Sequence, residues 1–164
     1  MYKLKDLFRD KKVNKIFIII GIGTFLLALL DILFLRSGLF GNYITFTLGL
    51  FSNAVWILYR DIAFILIFAF SFSYWFYKRD KSEAFSVGIG ILILWFFGIE
   101  DILYFWLQET GVPQFLPWLN NSLVVGNLSH IIGFTDVTNI SLYLIAIVGL
   151  ILTFITTKIL VRKF

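Results

Sequence analysis

Glu100 and Asp101 are adjacent carboxylates inside a run from Ala84 to Leu107 that is otherwise apolar and long enough to cross a bilayer. An acid at the centre of such a helix costs roughly 2.5–3.5 kcal/mol on insertion scales, so it usually faces a bundle interior, a cavity or a partner. Three readings suit the pair. In the first, carboxylates with His130 in support hold a divalent cation of the Mg²⁺, Mn²⁺, Ca²⁺ or Zn²⁺ kind, which could activate water or organise a phosphate. No ligand motif of known spacing accompanies it: there is no HExxH, no DxxD and no second His. In the second, one of two crowded, desolvated acids holds a proton. Glu100 or Asp101 then acts as a general acid on a lipid or isoprenoid, or relays protons in transport. In the third, the acids are structural. Arg60 satisfies one and Tyr104, one helical turn from Glu100, gives its hydroxyl to another.

The other charges that could join this pair are few. Asp31 lies in the last turns of an apolar run from Ile16 to Leu35. Gly21, Thr24, Ala28 and Asp31 fall on one helical stripe of small and polar residues, a surface suited to close helix approach. Arg60 and Asp61 lie near the start of the second apolar run in chain order, Ala54 to Tyr77. They could neutralise each other. Neighbours on a helix point about 100° apart, however, which favours at least one of them reaching another helix. The candidate catalytic residues are therefore Glu100, Asp101, Tyr104 and His130. The candidate ligand-binding residues are Asp31, Arg60, Asp61, Glu100 and Asp101.

These residues need spans to position them. Four apolar runs qualify, at 16–35, 54–77, 84–107 and 139–160. Each has the ~20 residues that cover a ~30 Å hydrocarbon core. Asn139, Tyr143, Ala146, Leu150 and Thr153 mark the packing stripe of the last. Ser82 is placed to cap the third run, and Gly111-Val112-Pro113 to end it. The segment between the third and fourth runs holds Pro117-Trp118-Leu119, an interfacial anchor, and a short apolar piece over 123–134. That piece is expected to lie on or dip into the membrane. Asp136 or Thr138 starts the helix that follows. Residues 1–15 are basic and weakly amphipathic, a surface helix or a frayed tail, and 43–51 is too short for a separate crossing.

Composition agrees. The chain has 164 residues, 60% of them hydrophobic, and a mean hydropathy of +0.92. Soluble domains are nearer 45–50% apolar. There is no Cys, which excludes disulfides and thiol chemistry. The net charge of +4 comes from Lys and Arg beside apolar runs rather than on a soluble module, so nucleic acid is not the expected partner. With four crossings, all the Lys and Arg except Arg36 and Arg60 fall on the side of the termini. The positive-inside rule then places both termini in the cytoplasm of a cell-membrane protein. It also sets Asp31, Asp61, Glu100 and Asp101 at one depth near the outer face.

The segment Ile99-Glu100-Asp101-Ile102-Leu103-Tyr104-Phe105 resembles the Glu-Glu-x-x-Phe-Phe segment of small membrane lycopene cyclases, with Gly98 where a Pro usually precedes it. The likeness covers this heptapeptide alone and assigns no family. It implies only that such a pair can serve isoprenoid chemistry.

The expectation is therefore an all-α, polytopic, four-helix transmembrane bundle forming one domain over 1–164. An interfacial or re-entrant segment joins its last two helices. Its acidic outer pocket would bind a lipid-like substrate or a cation. The alternatives are a transporter or channel subunit, and an assembly partner for other membrane proteins or for further copies of itself.

Overall fold

The structure is a computed structural model that describes residues 10–36 and 51–163. Expectations for 1–9 and for the 43–51 segment up to residue 50 lie outside the described residues. Among the described residues there are six α-helices: α1 Lys11–Arg36, α2 Phe51–Lys78, α3 Lys81–Phe96, α4 Ile99–Leu107, α5 Val125–Ile131 and α6 Asn139–Lys163. A 3₁₀ turn at Pro117–Leu119 precedes α5. Among the described residues, three stretches are long and apolar enough to cross a membrane: Lys11–Leu33, Arg60–Lys78 and Asn139–Arg162. The α3–α4 pair supplies a fourth if its two halves count as one span.

That pair corrects the expectation of one helix over 84–107. The chain breaks after Phe96, and α4 leaves α3 at 72°. Gly98 makes the bend with φ +75°, a left-handed conformation that costs a side-chain-bearing residue roughly 1–2 kcal/mol. A Cβ there would also strike the Leu142 side chain on α6. The bend turns Glu100 and Ile102 into the protein interior.

The helices pack through small residues and a 3–4 spaced apolar stripe. On α1 the buried positions are Val13, Ile16, Ile20, Thr24, Leu27, Ala28 and Asp31. Thr24, Ala28 and Asp31 sit on this inward face as their spacing predicts. Gly21 is exposed instead, because the inward stripe passes through Ile20 and Thr24. Gly90 on α3 lets Ile20 approach so closely that any Cβ would collide with it. One apolar cluster joins Ile16, Ile20 and Leu27 to Ala63, Ile67, Val87, Ile91 and Leu94. A second, beyond the bend, joins Ile102, Leu142, Ile145 and Ala146 to Leu116, Leu119, Val125 and Val137. On α6 the packing stripe runs through Leu142, Ile145, Ala146, Thr153 and Thr157. Tyr143 and Leu150 face outward, so the expected stripe is rotated. Facing outward too are Ile18, Ile22, Ile65, Phe68, Ile147 and Ile151, an apolar exterior that suits hydrocarbon and not water.

Ion pairs tie one end of the bundle. Lys12 Nζ lies 3.0 Å from both Asp80 and Glu83, and Arg162 reaches Asp10 at 3.5 Å. The start of α1, the 78–83 turn and the end of α6 thus meet. Asp80, not Ser82, caps α3: its carboxylate accepts from the Ser82 and Glu83 N–H groups and from the Ser82 hydroxyl at 2.8 Å. These bonds, with Lys12, hold the Asp80 carboxyl down at about 2 against an ordinary value of 3.8.

At the opposite end, residues 108–138 fold into a packed cap. Helix α4 ends at Leu107, with Glu109 at φ +57° just beyond it, ahead of the predicted stop at Gly111–Pro113. Phe115 bridges Thr138 in antiparallel fashion, with Leu116 N–H donating to the Val137 carbonyl at 2.9 Å. Asn120 fastens the cap from both sides of its amide, donating to Asp136 at 2.8 Å and accepting from Val137 N–H at 2.7 Å. Thr138 rather than Asp136 starts α6: its hydroxyl accepts from Ser141 N–H, and its own N–H donates to the Ser141 hydroxyl.

Candidate functional site

Asp31 and Glu100 come together at the bend. Helix α1 delivers Asp31 on its inward stripe, one turn past Leu27, and α4 delivers Glu100 in its first turn. Both are buried, 8% and 4% exposed. Their side chains are hydrogen-bonded to each other. Two carboxylates offer only acceptors, so this contact is a hydrogen bond when one of the two carries a proton. Asp101 lies within electrostatic reach of Asp31, and the Trp118 side chain approaches it. Its Oδ2 stands 3.7 Å from where a Cβ on Gly98 would be. The three acids thus belong to one cluster, and the glycine that bends the chain sits against it.

Trp118 is the site residue that sequence reasoning places elsewhere, as an interfacial anchor. In the fold it reaches back over α4, its ring 6.0 Å from Phe105, which meets Tyr104 edge to face at 5.2 Å. No local pattern in the sequence links Trp118 to Asp101, 17 residues away.

Other candidates stand apart. Arg60 donates to its neighbour Asp61 at 3.0 Å, and both side chains are more than half exposed. Among the described residues these two pair only with each other, the neutralising alternative rather than the interhelix one. Tyr104 gives its hydroxyl to neither acid among the described residues; its contact is the Phe105 ring. His130 is exposed at the end of α5, with Nδ1 3.0 Å from the Phe134 carbonyl. No group of three or more His, Asp or Glu side chains among the described residues is arranged to hold a metal ion.

An apolar cleft of about 320 Å³ opens between α1, α2 and α3. Gly23, Leu26, Leu27 and Leu30 of α1 form one wall, Leu66, Ile67, Ala69, Phe70 and Ser73 of α2 the other, and Ile91 of α3 the floor. Asp31 lies one turn beyond Leu27 on α1, next along the helix from this wall.

Compared with known proteins, the chain matches no family model, no curated protein and no solved structure.

Proposed function

We propose that this chain is a multi-pass integral membrane protein whose four-helix bundle, with α3–α4 as one broken span, binds a lipid-like molecule near its outer face. The apolar chain of that molecule lies in the α1–α2 cleft. Its polar end meets Asp31, Glu100 and Asp101. Both termini lie in the cytoplasm of the cell membrane. The ion pairs that gather the start of α1, the 78–83 turn and the end of α6 support this sidedness, because those segments carry nine of the 14 basic residues.

The observation that carries the reading is the continuity of Leu27 and Leu30, which line the cleft, with Asp31, which contacts Glu100. An apolar cleft with a few convergent polar groups is the usual form of a small-molecule site. A carboxyl pair sharing one proton can also give it to a bound molecule, so general-acid chemistry is within the site's means. A cation is less well supported, since the acids do not form a metal-holding group. A transporter or channel is less well supported too. Ile16, Ile20, Leu27, Ile67, Val87 and Ile91 fill the space between the acids and the opposite ion pairs.

Photolabelling tests the proposal. A fatty acid carrying a diazirine in its chain, added to bilayers holding the full-length protein, should mark 23–30 and 66–73 above other segments. Leu26→Trp, which fills the cleft from its open side, should remove that excess. Even labelling of the cleft and of the outward face of α6 at Ile147 and Ile151 would count against a pocket.

A further inference from the structure

The end of the molecule remote from the acid cluster holds a second groove, between α2 and α3. Its volume is about 220 Å³, and Phe72, Trp75, Phe85 and Ala84 give it apolar walls, with Lys81 at its edge. The α2–α3 pair that forms it is held firmly. Ser71 donates to the Ala84 carbonyl at 2.6 Å and Tyr74 to Glu83 at 2.8 Å.

Charge around the groove is one-sided. Asp80 and Glu83 are both taken up by Lys12. Lys78, Arg79 and Lys81 have no acid partner among the described residues. Two of them lie over rings instead: Lys78 Nζ is 4.5 Å from the Tyr77 centroid, and the Arg79 guanidinium is 5.2 Å from that of Phe76. The turn that presents them is tight, with Arg79 at φ +57°. Lys81 thus edges an apolar groove without an acid partner among the described residues, Lys78 and Arg79 lie in the turn that leads to it, and the chain's exterior suits hydrocarbon. Trp75 and Tyr77 add the aromatic residues typical of the membrane interface.

We propose that this groove is a site for an anionic phospholipid, with the phosphate held by Lys81 and Arg79 and an acyl chain lying between Phe72, Trp75 and Phe85. Basic pockets between membrane helices suit such headgroups. The apolar walls ask for a chain as well as a phosphate, which a soluble phosphate lacks. The site is at the opposite end from the acidic pocket, so the two stand or fall separately.

The test is tryptophan quenching in the full-length protein reconstituted in phosphatidylcholine bilayers. Brominated phosphatidylglycerol is compared with brominated phosphatidylcholine at equal mole fraction. Subtracting the Trp75→Phe variant isolates the Trp75 signal. Phosphatidylglycerol should quench Trp75 more strongly, and Lys81→Gln should lower its relative affinity about fivefold, the effect of one interfacial cation. Lys158→Gln, on α6 towards the same end, should leave the preference unchanged. Equal quenching by the two lipids would overturn the proposal, as would equal losses in Lys81→Gln and Lys158→Gln. Displacement by free glycerol phosphate would overturn the lipid assignment.

Discussion

Asp31 on α1 and Glu100 on α4 are hydrogen-bonded to each other in the interior, although they lie on separate elements far apart in the chain. The contact needs one donor proton between two acids. Glu100→Gln supplies that donor from its amide and should cost under about 1 kcal/mol, whereas Glu100→Ala leaves Asp31 facing a void and should cost about 1–3 kcal/mol. Thermal unfolding in detergent measures both. Equal losses from the two substitutions would mean that the contact is not a hydrogen bond of consequence.

The Trp118 side chain approaches Asp101 across the cap. Trp118→Phe keeps a ring against Phe105 but removes the donor, and should destabilise the fold by about 1–3 kcal/mol. A double-mutant cycle with Asp101→Leu isolates the pair, with a coupling of at least about 0.5 kcal/mol expected. Strictly additive effects would place the indole N–H elsewhere.

Gly98 makes the α3–α4 bend with φ +75° and no room for a Cβ. Gly98→Ala therefore carries a backbone cost of about 1–2 kcal/mol and a steric one against Leu142. Adding Leu142→Ala should not restore wild-type stability, because it relieves only the clash and opens a cavity of its own. A Gly98→Ala protein of unchanged stability would argue for a straight helix through this point.

At the opposite end, the Asp80 carboxyl is held at about 2 rather than 3.8 by Ser82, Lys12 and the Glu83 N–H. A carboxyl depressed on folding adds stability that is complete above its ordinary value and is lost as pH falls through its folded value. Stability should therefore decline between about 4 and 2, and Asp80→Asn, which still caps a helix, should flatten that part of the profile. The check is unfolding followed across acid pH in both proteins. Superimposable profiles would contradict the assignment.

Thr153 and Thr157 bury hydroxyls that have no hydrogen-bond partner among the described residues. An unsatisfied buried hydroxyl costs roughly 1–3 kcal/mol. Thr153→Val and Thr157→Val should each leave the protein as stable or more so, by chemical or thermal unfolding. A clear loss in either would reveal a polar partner and would favour a transport path through the bundle.

The long apolar helices were legible in the sequence because membrane spans announce themselves by length and composition. Much of the inward stripe of α1 was legible because Thr24, Ala28 and Asp31 repeat at helical spacing. The α3–α4 break was not. Gly98 lies in a run long enough for one span, and glycine is common in unbroken membrane helices. The α6 stripe was displaced because nearly every position there is apolar, so periodicity carries little information. Asp31 and Glu100 could be placed at a common depth from sidedness, but their contact depends on the bend. Trp118 could not be paired with Asp101, because that contact exists only once the cap has folded back. Arg60 and Asp61 illustrate the opposite case, in which the local pairing prevails over the long-range one.

A crystal structure of the full-length protein grown from a lipidic mesophase tests the central claim most directly. Elongated density is expected between Leu27 and Leu30 of α1 and Leu66 and Phe70 of α2, ending in contact with Asp31 or Glu100. A compact ion held jointly by Asp31, Glu100 and Asp101, or a closed cleft with the acids apart, would contradict it.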